Sequence, residues 1–231
     1  MNFKGFQKVS LIDYPGKICA IVFTGGCNFR CHYCHNPELV VHYEKLPDIP
    51  MEKVLSFMQK RKGLLDGLEI TGGEPTILPD LPQFMEMIKK MGFLVKLDTN
   101  GTNPKMLEEI TENKLVDYIA MDIKATPNRY REVVGVKVLL SKIKESVRII
   151  MQSRKMRDGK IDYEFRTTVF PEFFGEEDAR EIGKWVKEAQ RYVLQKPRTE
   201  KTLDAVFNPK NLYTDSELIN LAKFLPNCVI R

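Results

Sequence analysis

The chain has 231 residues, a formal net charge of +5 at pH 7, 43% hydrophobic and 29% charged residues, values that suit a globular protein of one or two domains. Its basic residues are interleaved with acidic ones, so we expect no nucleic-acid partner. Asp13 and Pro15 stand where a signal peptide needs an apolar run, and no apolar stretch reaches membrane-spanning length. We therefore expect a cytoplasmic protein with no membrane partner, whose cysteines bind metal or react rather than pair as disulfides.

Apolar runs alternate along the chain with segments of helical period. Strands are predicted at 17–24, 67–71, 93–99, 116–123 and 161–170, and short apolar stretches follow at 191–195 and 228–231. Helices are predicted at 51–62, 81–91, 103–113, 138–153, 176–190 and near 214–225. Asn103, just before Pro104, is the expected N-cap of the third helix.

This alternation predicts an α/β fold with a parallel sheet and helices outside. About six strand–helix units are too few for a closed eight-fold barrel, which needs about 250 residues. We predict an open, partial β/α barrel of about six parallel strands, with a doubly wound sheet as the alternative. In both folds the chemistry gathers at the carboxyl ends of the strands.

All but one of the polar and glycine-rich motifs follow or end predicted strands. A cysteine-rich loop follows the first strand, and TGGEPT (71–76) follows the second. DTNG (98–101) and MDIKA (121–125) end the third and fourth strands, and FRTTV (165–169) lies in the fifth. Because the carboxyl ends of parallel strands meet at one edge, we expect these motifs to converge there.

The cysteine-rich loop carries Cys27, Cys31 and Cys34 in a C-x3-C-x2-C pattern. Three merely buried cysteines would not suit its polar neighbours, and a disulfide with one spare thiol needs an oxidising compartment. A zinc site needs four ligands, of which His32 or His35 would be the fourth. An iron–sulfur cluster would leave one iron without a protein ligand.

The position of the other cysteines favours the cluster over zinc. Structural zinc sites usually pair two short ligand segments, whereas here all three thiols lie in one loop and no second pair follows. Cys19 and Cys228 stand singly among apolar neighbours, so we expect them to be core or surface thiols. A cluster with an open coordination position would indicate catalysis, and zinc remains the alternative.

The motifs together resemble one known family. The spacing C-x3-C with Cys31-His32-Tyr33-Cys34 resembles the radical S-adenosylmethionine (SAM) superfamily, and GGEP (72–75) resembles its glycine-rich element. CHNP (34–37), DTNG and MDIK are similar to the glycyl-radical-enzyme activases. The stretch 9–40 looks most like the activating proteins of anaerobic ribonucleoside-triphosphate reductases. The motifs cover about residues 8–170, and we expect one domain over 1–231 in which 171–231 completes the partial barrel.

The resemblance implies a [4Fe–4S] cluster on Cys27, Cys31 and Cys34, with SAM on the fourth iron. It further implies reductive cleavage of SAM to a 5′-deoxyadenosyl radical, which would generate a glycyl radical on a partner, anaerobic ribonucleoside-triphosphate reductase. A low-potential donor such as flavodoxin or ferredoxin would supply the electron. The alternatives are a radical SAM enzyme acting on a small molecule and a non-catalytic zinc-binding module.

The same resemblance assigns roles around the first two motifs. Tyr33 would pack beside the cluster, with its main chain facing the adenine. Gly72 and Gly73 would let the backbone come close to the ligand, and Glu74 would receive the methionine ammonium. Simple turns are the alternative for the glycines.

Six residues and one turn remain. Asp98, Thr99 and Asn100 would meet ribose hydroxyls or a monovalent cation near the cofactor carboxylate, although an ordinary turn is the alternative. Asp122 and Lys124 share one strand face; by resemblance they would face the cation and the cofactor carboxylate, and otherwise form an ion pair. Arg166 would need an anionic partner, the cofactor or Glu74, and an arginine facing the sheet edge is the alternative. LIDYPG (11–16) either covers the bottom of the sheet or touches the partner.

Overall fold

The computed structural model describes residues 1–154, 161–204, 206–207, 209 and 211–231. Within them ten strands form, namely β1 (Asn2–Phe3), β2 (Gly5–Ser10), β3 (Cys19–Thr24), β4 (Ile49–Pro50), β5 (Gly67–Gly72), β6 (Leu94–Thr99), β7 (Tyr118–Asp122), β8 (Asp162–Thr168), β9 (Tyr192–Gln195) and β10 (Cys228–Ile230). The α-helices are α1 (Pro37–Val40), α2 (Met51–Lys60), α3 (Leu81–Lys90), α4 (Pro104–Glu112), α5 (Tyr130–Val134), α6 (Leu140–Ser153), α7 (Glu176–Trp185) and α8 (Asp215–Ala222).

The main sheet has the strand order β10-β9-β8-β7-β6-β5-β3-β2. Strand β2 pairs antiparallel with β3, and every other neighbouring pair is parallel. The sheet edges β2 and β10 stand at opposite ends of this order, so the barrel is open. The predicted α/β fold is confirmed, and the described residues contain seven parallel strands, one more than the expected six.

The predicted strands and helices are found, with shifted ends. Asn103 caps α4 as expected, because its side chain accepts a hydrogen bond from the Met106 N–H at 3.3 Å. The short helices α1 and α5 were not predicted, since four or five residues show no helical period. The antiparallel strand β2 was also missed, because its residues 7–9 are exposed at the sheet edge and show no apolar alternation. Across the described ranges, no helix has the length and apolar character needed to span a bilayer.

The two faces of the sheet have different compositions. The helix-covered face carries apolar side chains from every central strand, such as Val22, Ile70 and Leu97. The concave face has a small apolar group at the amino ends of the strands, to which Ile21 and Ala120 belong. Above this group the concave face becomes charged, and these charges lie next to the carboxyl edge.

The LIDYPG turn covers the bottom of the concave face. Tyr14 is 4% exposed, and its ring centroid lies 5.8 Å from that of Tyr118 at the start of β7. The Ser10 hydroxyl accepts hydrogen bonds from the backbone N–H groups of Ile12 and Asp13, each at 3.3 Å, which fixes the turn. The structure therefore agrees with the first of the two alternatives for this turn, that it covers the bottom of the sheet.

Candidate functional site

The cysteine loop leaves the carboxyl end of β3 and is held by backbone hydrogen bonds. The Gly26 N–H donates to the Leu39 carbonyl at 2.8 Å, and the Arg30 N–H donates to the Val134 carbonyl at 2.9 Å. These bonds join the loop to the ends of α1 and α5. The two short helices missed by the sequence therefore frame the cysteines.

The three thiols of the loop are free, as are Cys19 and Cys228, which removes the disulfide alternative. Burial raises the pKa of Cys27 to about 11 and that of Cys31 to about 12. The ammonium of Lys124 acts in the opposite direction on both. Without a metal the thiols are protonated, and metal binding would displace their protons.

The histidines of the loop lie at its surface or pair with other residues. Among the described residues, no three or more His, Cys, Asp and Glu side chains are gathered as ligands of a single metal ion. His32 Nδ1 instead lies 2.9 Å from Asp204 Oδ2. His35 is exposed at the loop surface.

The glycine motif contacts the root of the cysteine loop through its backbone. The Gly73 N–H donates to the Thr24 carbonyl at 2.9 Å, and the Glu74 N–H donates to the Gly26 carbonyl at 2.8 Å. Gly72 has φ +120°, a region that favours glycine. The glycine motif was expected to bring its backbone close to a ligand. In the structure this backbone lies close to the start of the cysteine loop.

Gly73→Ala is expected to destabilise the protein and disturb the cysteine loop together. A Cβ at position 73 would lie 1.9 Å from the Gly26 carbonyl oxygen, so one of the two backbones must shift. We expect a loss of roughly 1–3 kcal/mol in the free energy of unfolding, measured by urea denaturation, with Gly175→Ala as a control. Gly175 has no left-handed backbone, and its Cβ would meet only Asp178 Oδ2, at 3.9 Å. Equal losses in both variants would show that the contact with Gly26 is unimportant.

Glu74 is buried and fully engaged by protein donors. Its Oε1 accepts from the Thr76 N–H at 3.1 Å, the Thr76 hydroxyl at 2.5 Å and the Thr99 hydroxyl at 2.7 Å. Its Oε2 accepts from the Asn100 N–H at 2.6 Å. Burial raises the pKa of this carboxyl against the effect of these bonds. Glu74 thus joins the glycine motif to the DTNG motif.

Asn100 continues this connection to the cysteine loop. Its Nδ2 donates to Asn28 Oδ1 at 2.8 Å, and its Oδ1 accepts from the Thr102 hydroxyl at 2.7 Å. Asn28 Nδ2 also donates to the Thr102 hydroxyl at 2.7 Å. The ends of β3, β5 and β6 therefore form one hydrogen-bonded edge, as the order of motifs predicted.

Asp98, Arg166, Asp122 and Lys124 form a row of alternating charges across β6, β7 and β8. Arg166 Nη1 donates to Asp98 Oδ2 and Arg166 Nε to Asp122 Oδ1, both at 3.0 Å. Lys124 Nζ donates to Asp122 Oδ2 at 2.9 Å. Arg166 thus pairs with these two aspartates. The expected contact between Arg166 and Glu74 is not found, because Glu74 accepts from Thr76, Thr99 and Asn100 instead.

The row stays ionised despite its burial. Burial would raise the pKa of Asp98, but Arg166 and Lys96 hold it well below its usual range. Burial likewise acts against Lys124, yet Asp122 raises the pKa of this amine above its usual value. The edge therefore presents fixed charges to a bound ligand.

Sequence reasoning missed three buried charges on the concave face. Lys96 Nζ lies 2.7 Å from Glu69 Oε1 and 2.5 Å from Asp98 Oδ1. Glu164, 0% exposed, accepts from Arg231 Nη1 at 2.8 Å. The period-two rule that placed Asp122 and Lys124 on one face would also have placed Lys96 with Asp98.

Glu69→Gln is expected to remove a loss of stability at alkaline pH. Burial first, and the Asp98 carboxylate second, raise the pKa of Glu69 to about 8, although Lys96 lowers it. A carboxyl with a raised pKa contributes stability below its ordinary pKa and loses it as pH rises through the folded value. Thermal unfolding near pH 5 should give similar midpoints for both proteins, and the variant should melt higher near pH 9. A wild-type midpoint that is constant over this range would contradict the expectation.

Tyr33 lies between two cysteines in an aromatic group. It is 6% exposed, and its ring centroid lies 5.0 Å from Phe170 and 6.1 Å from Phe173. Its hydroxyl is buried without a hydrogen-bond partner in the part of the chain that is described. Phe207 stacks on Phe173, with centroids 5.4 Å apart.

We call residues 201–204 and 206–207 the C-terminal strap. The Asp204 N–H donates to the His32 carbonyl at 3.0 Å, in addition to the contact between their side chains. Lys201 Nζ donates to Glu38 Oε2 at 2.6 Å. The strap therefore packs on the cysteine loop, an arrangement that no motif in the sequence indicated.

This donor set fits an iron–sulfur cluster with SAM. Three free thiols on one loop are the ligands such clusters take. The buried Tyr33 hydroxyl without a partner is a polar group that a bound molecule could satisfy. Lys124 and Arg166 supply cations beside the loop for a carboxylate.

Comparison with known proteins agrees with this geometry. Residues 21–177 match the radical SAM superfamily. The chain belongs to this superfamily. It is 34% identical over 232 residues to a protein of Methanocaldococcus jannaschii provisionally named a glycyl-radical enzyme activating enzyme, covering 98% of this chain and 94% of the relative.

Further proteins are similar to parts of the chain. The pyruvate formate-lyase-activating enzyme of Clostridium pasteurianum is 31% identical over 123 residues, 51% of this chain and 50% of that enzyme. A domain of a Bacteroides vulgatus pyruvate formate-lyase-activating enzyme aligns with TM-score 0.57 at 15% identity, covering 71% of this chain and 98% of that one. SuiB of Streptococcus suis bound to SAM aligns with TM-score 0.64 at 14% identity, covering 91% of this chain and 51% of that one. These likenesses of fold also support the open barrel.

Proposed function

We propose that this protein is a glycyl-radical-enzyme activase that cleaves SAM reductively. One observation carries the proposal: the three free thiols lie on a single loop beside the ionised row of Asp98, Arg166, Asp122 and Lys124. A redox cluster and a charged amino-acid cofactor would meet at this edge. The M. jannaschii relative, matched over nearly its whole length, supports the class of reaction.

Each side chain at the edge has a proposed task. Cys27, Cys31 and Cys34 would hold a [4Fe–4S] cluster, and Tyr33 would pack beside it. When bound, the cluster and SAM would supply one-electron cleavage of the sulfur–C5′ bond, giving a 5′-deoxyadenosyl radical. Lys124 would orient the SAM carboxylate.

The remaining edge residues would complete the pocket. Asp98, Thr99 and Asn100 would face the ribose, and Asp98 with Asp122 would be the candidates for a monovalent cation. Gly72 and Gly73 would bring the backbone near the methionine group. Glu74 would receive the ammonium by exchanging one of its four donors, and Arg166 would keep the two aspartates in place.

We further propose anaerobic ribonucleoside-triphosphate reductase as the partner. The support is the stretch 9–40, which resembles activating proteins of that reductase. The 37 residues between Cys34 and Gly72 hold no cysteine, which speaks against the extra clusters of some other activases. We also propose that residues 171–231 complete a single domain and that flavodoxin or ferredoxin donates the electron in the cytoplasm.

The test has two arms. In the first, low-temperature electron paramagnetic resonance of anaerobically reconstituted, reduced protein should show a [4Fe–4S]⁺ signal that shifts when SAM is added. A silent sample containing one zinc per chain would overturn the proposal. The second arm mixes the reduced protein and SAM with anaerobic ribonucleoside-triphosphate reductase or with pyruvate formate-lyase. A glycyl radical on the reductase alone is expected, and one on the lyase alone would overturn the choice of partner.

A further inference from the structure

Two charged side chains lie beneath the cofactor-facing edge and take no part in the contacts proposed above. Glu69 of β5 and Lys96 of β6 are register partners and are 3% and 1% exposed. Lys96 Nζ bridges Glu69 Oε1 at 2.7 Å and Asp98 Oδ1 at 2.5 Å. Burial disfavours the charged form of Lys96, but Asp98 and Glu69 raise its pKa above the usual value. The side chain is therefore a buried cation between two carboxyl groups.

Stability alone does not account for this arrangement. Replacing a buried ion pair by well-packed apolar side chains is often neutral or stabilising. The nearby concave positions Ile21 and Ala120 are apolar and buried, so apolar residues at 69 and 96 would extend that packed group. Glu69 Oε2 is moreover buried without a partner in the described ranges. We therefore look for the role of the Lys96 ammonium in its contact with Asp98.

Asp98 connects Lys96 to the rest of the site. Its second oxygen accepts from Arg166, which in turn donates to Asp122, and Asp122 accepts from Lys124. From Lys96 to Lys124 the charges alternate in sign, and each step is 3.0 Å or less. Because both oxygens of Asp98 are held, its carboxylate cannot rotate without losing a charged hydrogen bond.

We propose that Lys96 is a positioning residue of the cofactor site, which fixes the Asp98 carboxylate from beneath, with the Glu69 carboxyl as its second hydrogen-bond partner. Lys96 acts through Asp98 and the Arg166 guanidinium. Its loss would leave Asp98 held on one side only. The inference rests on the proposed binding of SAM at this edge.

The test separates SAM binding from cluster binding and from folding. Anaerobically reconstituted Lys96→Met is expected to keep the iron content and the cluster signal of the wild type. Its affinity for SAM, measured by calorimetry and by titrating the shift of the cluster signal, should fall about tenfold to a hundredfold, the effect of one charged hydrogen bond. Lys96→Arg keeps the charge and should recover most of the affinity.

The matched control is Lys89→Met. Lys89 Nζ lies 2.6 Å from Asp117 Oδ1, an ion pair of similar length that joins α3 to the start of β7, away from the edge. Its loss should leave the affinity for SAM unchanged. Similar weakening in both lysine variants would indicate a general effect of stability and overturn the inference.

Failure of this inference is distinguishable from failure of the proposed function. A wild-type signal that does not respond to SAM would contradict the function itself. A wild-type response with equal affinity in Lys96→Met would overturn only the positioning role. If Lys96→Met does not fold, the double variant Glu69→Leu/Lys96→Met removes the unpaired carboxyl at position 69. It should fold and still bind SAM weakly, and wild-type affinity in it would overturn the inference.

Discussion

Replacing any one of Cys27, Cys31 or Cys34 by alanine should abolish SAM cleavage. Each variant removes one of three thiolate ligands, and no fourth cysteine lies in the loop to replace it. The loss should exceed the roughly 10- to 100-fold that follows removal of an outer-shell partner of a metal site. Iron content and 5′-deoxyadenosine formation with dithionite as reductant are the measurements.

The chain supplies its own control for this experiment. Cys19 is buried at the amino end of β3 and Cys228 lies in β10, so their alanine variants should retain iron and activity. Wild-type cleavage by any variant of the three loop cysteines would refute the assignment of the cluster. Loss of iron in Cys19→Ala would mean that the assay reports unfolding rather than ligand loss.

Glu74→Ala should reduce both stability and SAM binding. The sequence alone predicts weaker SAM binding with an intact cluster. The structure adds that truncation leaves the buried N–H groups of Thr76 and Asn100 without their acceptor. We expect the free energy of unfolding to fall by about 3 kcal/mol, measured by urea denaturation.

Glu86→Ala is the control for Glu74→Ala. Glu86 forms an exposed ion pair with Lys90 at 2.9 Å on α3, and such pairs contribute about 0.2–1 kcal/mol. A Glu74 variant as stable as this control would mean that the four donors find other acceptors. A normal iron content together with weak SAM binding would favour the direct role of Glu74 at the ammonium.

The sheet was predictable because its central strands are continuous apolar runs, while the motifs mark their carboxyl ends. Asp98 and Asp122 were found because they stand at those ends, and Arg166 because it is a charge inside a strand-like run. Lys96 was missed because a single charge within a short strand also fits a solvent-exposed face. Only the neighbouring strand shows that this face is concave and buried.

Contacts distant in sequence lie beyond such reasoning. His32 and Asp204 are 172 residues apart, and neither carries a motif that requires the other. Arg166 was expected to pair with the cofactor or with Glu74, and the structure pairs it with Asp98 and Asp122 instead of Glu74. Pairing of this kind depends on strand register and on the path of the returning chain, which local patterns do not specify.

The strap also bears on the order of events during synthesis. A chain leaves the ribosome from its amino end, so the cysteine loop emerges long before Asp204 and Phe207 exist to pack near it. Until then Phe170 and Phe173, whose rings pack on Tyr33, lack the ring of Phe207. The contacts between the strap and the loop therefore form only after residues 204–207 have been synthesised. Loading of iron is expected to follow the synthesis of these residues.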